Sequence, residues 1–593
     1  MFRFDRHPSQ RIAEPARALP AGRVWLVAVL LHVGLLTVVG RCLAVQAFQR
    51  APLVLLASRQ QVYTETLPAR PGDIVDVEGR ILATSVLAES LFLDPARIDQ
   101  PRDVAEKLAA ALGLDAAAIA EGIASNSARR FLWVKRRLSE TEVRGVEALG
   151  LPPESFGFRR EFLRCYPQGR LATQVIGFRD IDGDGRGGIE QSHDSVLKGV
   201  GGSRRVVRDA HGRSLTILEE DTLLPRPGRT VRLTLDTVIE NYTEEVLDDV
   251  IEQWKPASAC AVVMEPSTGR ILAMASRPTF DPNAMHDVAD DAWTNRAIAD
   301  IYEPGSTLKP MIVAAALDAG VLRRDEKLFC ENGVYVMGRR VLHDHHPFGT
   351  LSIADVVIRS SNIGMAKVGE RLGNRPMHAA LSRFGFGRPT GVPLPAEESG
   401  MLLPLERWTS YSTGSVPMGQ EIAVTPLQLV TAYCILANGG RAIRPRAVED
   451  SAGDDPPASD SVVSPETARW VCETVLRGVV EDPRGTGRRA RLEYYDVFGK
   501  SGTAQKVDPA TGQYSHQLHV SSFVAGGPIE DPRAVVVVLV NEPSVGGTHY
   551  GGTVAAPAAR EVLRRTLLYL RVPPTQVAVS GPREKSADRS GGG

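Results

Sequence analysis

Two residues of the segment EPGSTLKP, Ser306 and Lys309, stand three apart at the start of an apolar stretch. On a helix, residues i and i+3 share a face, so the two side chains can meet. A serine hydroxyl is a poor nucleophile until a base takes its proton. A lysine amine serves as that base when burial or a second cation lowers its pKa. The competing explanation is a capping serine followed by a lysine that reaches for solvent. The spacing alone does not decide between them.

Two further clusters follow in order. Ser360-Ser361-Asn362 is an S-x-N triplet, and Lys500-Ser501-Gly502-Thr503 is a K-[ST]-G box inside FGKSGTAQK. Each is weak singly. Their order resembles the signature of the serine acyltransferases that recognise penicillin. In such a site Ser306 attacks a peptide carbonyl, and Lys309 is the expected base. Ser360 relays a proton toward the leaving amine, and Asn362 holds the substrate's amide. Lys500 supplies a cation near the substrate's terminal carboxylate and helps depress the pKa of Lys309. The Ser501 and Thr503 hydroxyls bind that carboxylate. Backbone N–H groups of Ser306 and Thr503 form the oxyanion hole, and Gly502 lets the backbone approach the ligand closely. No metal or cofactor is expected.

These residues need rigid elements. After Pro310, STLKPMIVAAALDAG is apolar almost all round, which predicts a buried helix that begins near Ser306 and stops at Gly320. Free N–H groups and the positive end of the helix dipole then lie beside Ser306. TVIENYTEEVLDDVIEQW (237–254) reads as a long amphipathic helix. SACAVVMEPSTGRILAMAS (258–276) reads as two apolar strands around a turn, RAVVVVLVNEP (533–543) as a buried strand, and APAAREVLRRTLLYLRV (556–572) as a closing helix. Strands at both ends with helices between predict an α/β fold with a mixed or antiparallel sheet.

Upstream, the region 49–235 is mixed in character. GDIVDVEGRILATS (72–85) predicts a hairpin around Glu78-Gly79, and DVAEKLAAALG (103–113) a helix ended by glycine. The stretch 24–40 carries no charge and continues past Arg41, long enough for a membrane span over 24–48. Five arginines precede it, which favours an inside N-terminus and a body exported beyond residue 48. A cleaved signal peptide is the rival, with Val45-Gln46-Ala47 as its cleavage site, but the apolar run exceeds a signal core. Residues 1–23 form a cytoplasmic tail on this reading, and 573–593 a disordered end.

The 593 residues exceed one core. With 69 Lys plus Arg against 70 Asp plus Glu, the chain lacks the basic excess of a nucleic-acid protein. The six cysteines are scattered and read as small buried residues. DIDGDGRGGIEQ (180–191) nearly matches a calcium loop, but Gln191 stands where a bidentate glutamate is required. HDHHP (343–347) could hold a metal, yet adjacent loop histidines point different ways, and a solvated loop is expected.

The chain resembles a class B penicillin-binding protein, a monofunctional peptidoglycan D,D-transpeptidase. The residues that carry the likeness are NRAIADIYEPGSTLKPMIVAAALDAGVL, SSNIG, TPLQL, FGKSGTAQK and YGGTVAAPA. They are closest to its division-specific branch, penicillin-binding protein 3. RPGDIVDVEGRILA, RCYPQG and GGIE resemble the motifs of the family's non-catalytic pedestal, and Glu190 falls on the glutamate of its G-x-E element. Val77 and Gln174 depart from the family's usual arginine and histidine. The resemblance implies a β-lactamase-like transpeptidase domain at 236–572, with an antiparallel sheet between helical layers. A mixed α+β pedestal of the dimerisation type at 49–235 and the membrane anchor precede it. It implies septal crosslinking of stem peptides ending in D-Ala-D-Ala through a Ser306 acyl-enzyme, and covalent inhibition by β-lactams. A SEDS-family glycosyltransferase and other division proteins are the implied partners. Alternatives are an elongation-type relative, a non-enzymatic scaffold or β-lactam sensor, and a β-lactamase, for which Glu370 is a poorly placed deacylating carboxylate.

Overall fold

The structure is a computed structural model that describes residues 21–208, 214–449, 461–508 and 511–576. Most of the N-terminal tail, the polar stretch 450–460 and the C-terminal end from 577 lie outside the described residues. The described chain forms two compact units.

The first unit spans 1–68 and 201–225. Its helix Ala21–Phe48 has a mean hydropathy of 2.2 over its most apolar window and buries none of it, the length and composition of a single membrane span. Strand Val62–Leu67 pairs antiparallel with Gly202–Arg208, so residues far apart in sequence close this unit.

The second unit holds the rest. In its pedestal part, Ile74 and Val75 pair back onto Ala83 and Ile81, and the turn between them places Gly79 at φ +85°. The long strand Ile81–Leu93 continues the sheet, flanked by Leu132–Leu138 and Phe156–Cys165. Leu91 and Leu93 pack with Leu108 and Leu112 of the helix Pro101–Leu112.

The catalytic part is a three-layer sandwich. Helix α1 (Thr237–Trp254), capped by Asp236, precedes strands β1 (Ser258–Met264) and β2 (Ile271–Arg277). Helices α2 (Lys309–Asp318), α3 (Asn362–Leu372) and α4 (Pro426–Ala437) follow. Strands β3 (Phe498–Val507), β4 (Tyr514–Gly527) and β5 (Ala534–Asn541) then complete the sheet, and α5 (Ala556–Tyr569) closes the domain. The order is β2-β1-β5-β4-β3, antiparallel throughout.

Strand alternation divides the core. Ala259, Ala261 and Val263 face a layer with Val246 and Leu247 of α1 and Val562 and Leu563 of α5. Cys260, Val262 and Met264 face the opposite layer, which holds α2, α3 and α4. Both faces are covered, so all seven residues of β1 are buried. Strand β3, which carries the Lys500 box, is left at an edge of the sheet.

The pedestal joins this body through polar groups. The buried Asp76 carboxylate accepts from the backbone N–H groups of Glu78 and Arg80 and from Thr237 at the head of α1. Arg80 bridges Asp76 at 2.6 Å and Asp236 at 2.7 Å, and Tyr569 of α5 donates to Asp236. Val77 contributes only backbone here: its N–H donates to Leu235 and its carbonyl accepts from Arg232. The Gln174 amide donates to the carbonyls of Pro278 and Ala292 at 3.1 and 3.0 Å.

Candidate active site

Ser306 sits on a single tight turn, Gly305–Leu308, that runs straight into α2. Three props fix the turn. The Thr307 hydroxyl donates to the Pro304 carbonyl at 2.7 Å. The buried Tyr433 of α4 donates to the Thr307 carbonyl at 2.8 Å. Gly419 closes the back, where a Cβ would fall 2.0 Å from the Gly305 carbonyl oxygen. Helix α4 is itself pinned by a capping box between Thr425 and Gln428.

The S-x-N triplet lies at the start of α3. Ser360 takes a left-handed conformation, φ +61°, which a residue with a Cβ adopts only where its surroundings impose it. Ser361 caps α3 through the Gly364 N–H, and Asn362 opens the helix. Asp344 receives the Ser361 hydroxyl at 2.7 Å and the N–H groups of Asn362 and Ile363. HDHHP is exposed at its histidines, as expected, and it also has a place in the cleft. The segment is part of the site: Asp344 holds the α3 terminus, and His345 and His346 line the cleft.

The three boxes converge. The Lys309 ammonium, fully buried, donates to the Ser360 carbonyl at 2.8 Å, the Asn362 Oδ1 at 2.9 Å and the Ser360 Oγ at 3.2 Å. Ser360 Oγ in turn donates to Ser306 Oγ at 2.9 Å. Lys500, also fully buried, donates to the same Ser360 Oγ at 3.3 Å and to the Ser501 carbonyl at 2.9 Å. The spacing alone suggested a direct Lys309–Ser306 contact. The structure instead puts the Ser360 hydroxyl between them, because the lysine lies against the α3 terminus.

The electrostatics follow from the burial. Desolvation brings Lys309 down to about 7, opposed by the nearby Asp344 carboxylate. Lys500 is pushed well below its ordinary value by burial and then by the Lys309 charge. Two cations that share one hydroxyl in a dry site cannot both stay protonated cheaply.

On β3, Ser501 and Thr503 face the cleft. Ser501 Oγ donates to Thr486 Oγ1 at 2.9 Å, and Thr503 Oγ1 accepts from the Gly551 N–H at 3.1 Å. Gly502 points the other way. A Cβ there would fall 2.4 Å from Ser522 Oγ and 2.8 Å from the Thr307 methyl. Its bareness lets the strand press against the Ser306 turn, which replaces the expected role of making room for a ligand.

The cleft encloses about 820 Å³, with Ser306, Ser360, Ser501 and Thr503 in its walls. Thr486, Tyr550, Arg488 and Arg489 also line it, and the sequence reading missed them. They lie on connections whose course is set by the sheet rather than by any local pattern. Glu370 is absent from this lining. It accepts the Tyr335 hydroxyl at 2.9 Å, out on the Val334–His343 hairpin. The calcium-like loop is occupied by its own arginines: Asp180 binds Arg186, and Glu190 binds Arg164 and Arg179.

Comparison with known proteins places this geometry. Residues 259–564 match the penicillin-binding protein transpeptidase domain, and residues 66–233 match the penicillin-binding protein dimerisation domain. A probable peptidoglycan D,D-transpeptidase PenA of Neisseria meningitidis is 33% identical, over 87% of each chain. The peptidoglycan D,D-transpeptidase FtsI of Escherichia coli K12 is 29% identical over 92% of this chain and 91% of its own. Among solved structures, penicillin-binding protein 3 of Mycobacterium tuberculosis in complex with aztreonam superposes with a TM-score of 0.66. That match has 27% identity and covers 86% of this chain and 98% of that one. Both domain families match within one chain, and the match to these relatives runs over about nine-tenths of each chain, so the chain belongs to the class B penicillin-binding proteins, the peptidoglycan D,D-transpeptidases.

Proposed function

We propose that Ser306 is the nucleophile of a septal D,D-transpeptidase and that β-lactams inhibit it by acylating the same hydroxyl. The observation that carries the reading is the hydrogen-bonded chain from the buried Lys309 through Ser360 Oγ to Ser306 Oγ. With Lys309 neutral, Ser306 gives its proton to Ser360, whose own proton passes to Lys309. The Ser306 oxygen then bonds to the carbonyl of the penultimate D-alanine. N–H groups of Ser306 and Thr503 receive the developing oxyanion. Collapse breaks the peptide bond, the leaving D-alanine amine takes the proton back through Ser360, and an ester remains on Ser306. An amine from a neighbouring stem peptide then attacks that ester and releases Ser306.

Asn362 holds the substrate's amide, and Ser501, Thr503 and Lys500 receive the terminal carboxylate. The free edge of β3 offers backbone groups to an extended donor peptide. The apolar helix and the basic residues before it support an inside N-terminus with the catalytic body outside the cytoplasm. The FtsI relative supports the septal assignment and, with it, a SEDS-family glycosyltransferase and division proteins as partners.

Intact-mass analysis of the full chain after brief exposure to penicillin tests the nucleophile. A stable adduct is expected on the parent and none on Ser306→Ala. An adduct of equal yield on that variant overturns the assignment. Depletion in growing cells tests the septal role: filaments with continued side-wall growth are expected, whereas rounded cells point to elongation.

A further inference from the structure

The cleft beside Ser306 holds more positive charge than its own carboxylates balance. Four lining residues are arginines, Arg359, Arg488, Arg489 and Arg491, against one carboxylate, Glu481. Glu481 is taken by Arg491 at 2.9 Å. The neighbouring Asp482, which Arg359 feels only at longer range, is taken by Arg484 at 2.8 Å. Among the described residues, no carboxylate lies within ion-pair distance of Arg359, Arg488 or Arg489.

The three come from two segments that end at the reaction centre. Arg359 directly precedes Ser360, and its guanidinium lies 4.4 Å from the Phe348 ring centroid, which fixes its direction. Arg488 and Arg489 follow Thr486, the acceptor of Ser501 Oγ. Among the described residues their side chains make only long hydrogen bonds to carbonyls, 3.4 Å to Pro483 and 3.5 Å to Thr553. Most of their N–H groups remain available to a ligand. A cleft lined by one sign of charge concentrates the opposite sign, and guanidinium forks match carboxylates.

On the reading proposed above, the terminal D-alanyl carboxylate lies on Ser501, Thr503 and Lys500. It leaves these three cations unanswered. We infer that Arg359, Arg488 and Arg489 form a second anion subsite, which takes a free carboxylate on the stem peptide upstream of D-Ala-D-Ala. The enzyme therefore selects acidic stems over their amidated forms. The inference rests on the Ser306 reading of this cleft and adds the class of substrate that it accepts.

The test measures D-alanine release by the full chain in detergent from four pentapeptides. One pair carries a free or an amidated side carboxylate on the third residue; the other pair differs likewise on the second. One member pair should show a kcat/KM about tenfold higher for the acid, the size expected of a charged hydrogen bond, and the pair identifies which carboxylate is read. The double variant Arg488→Gln/Arg489→Gln should bring that ratio close to one, and high salt should shrink it in the parent. Arg359→Gln should act in the same direction from the other segment.

Equal handling of acid and amide at both positions overturns the subsite. So does a double variant that slows acid and amide alike, since that marks a structural role. D-alanine release that persists in Ser306→Ala overturns the underlying nucleophile assignment instead, whatever the ratio. Absence of release from all four peptides overturns both.

Discussion

The pedestal and the cleft both bury charged side chains, but they treat them in opposite ways. In the pedestal, the fully buried Glu190 is clasped by Arg164 at 2.6 Å and by Arg179 at 2.7 Å. Arg164 also donates to Gly72 and Ser85, and Arg179 forms an ion pair with Asp194. Each charge meets its opposite, so the network holds one arrangement of strand, turn and helix. In the cleft, the fully buried Lys309 and Lys500 donate, among the described residues, only to hydroxyls, carbonyls and one amide. Asp344 tempers Lys309 from a distance but spends its oxygens on the α3 terminus. A buried charge with a counter-charge is a brace. One without is ready to lose its proton, which is what a base requires.

Replacing the central ion in each region should separate the two. Lys309→Met is expected to cut the rate of Ser306 acylation by about 10²–10⁴-fold while leaving the thermal midpoint unchanged or higher, since it removes an unpaired buried cation. Stopped-flow acylation beside calorimetry checks it; a clear drop in the midpoint would show Lys309 to be a brace after all. Glu190→Ala should do the reverse. It leaves the buried Arg164 guanidinium without a carboxylate and Arg179 with Asp194 alone, at about 3–5 kcal/mol of stability, with acylation per folded molecule unchanged. Denaturant unfolding and active-site titration measure the two halves.

The same contrast predicts a pH dependence. Lys309, lowered to about 7, must be neutral to accept a proton. Acylation should therefore fall roughly tenfold per unit as pH drops below about 7 and level off above it. A rate that stays flat from pH 5 to 8 would break the assignment. The smallest effect is expected at Arg80, whose side chain is a third exposed although it bridges Asp76 and Asp236. Water can replace it, and Asp76 keeps Thr237 and two backbone donors. Arg80→Gln should cost only about 1 kcal/mol in an unfolding titration.

The sequence by itself determined the helices and strands and the candidate reactive groups. The apolar run after Pro310 required a buried helix, because no face of it could meet water. The helix 237–254 appears with the bounds that its periodicity predicts. Glycines in left-handed turns at 79, 113 and 320 mark ends that any chain of this composition would make there. The three boxes were legible only together: each is weak singly, and their occurrence in this order carried the signal.

Only the tertiary structure decided how those groups act on one another. Whether Lys309 reaches Ser306 directly or through Ser360 depends on where α3 begins, and that depends on Asp344, a residue from a loop that reads as solvated polar sequence. Gly502 is bare because Ser522 and the Thr307 methyl stand behind it, which strand pairing alone arranges. Arg488 and Arg489 look like ordinary surface residues in RGTGRRAR. They join Arg359 in a concentrated positive wall only when the chain folds them beside Ser501 and leaves Glu481 to Arg491 and Asp482 to Arg484. Local interactions, which act over a few residues, could be read from spacing. Burial, pKa and the sharing of one hydroxyl by two lysines arise between segments 51 and 140 residues apart, and no local pattern encodes them.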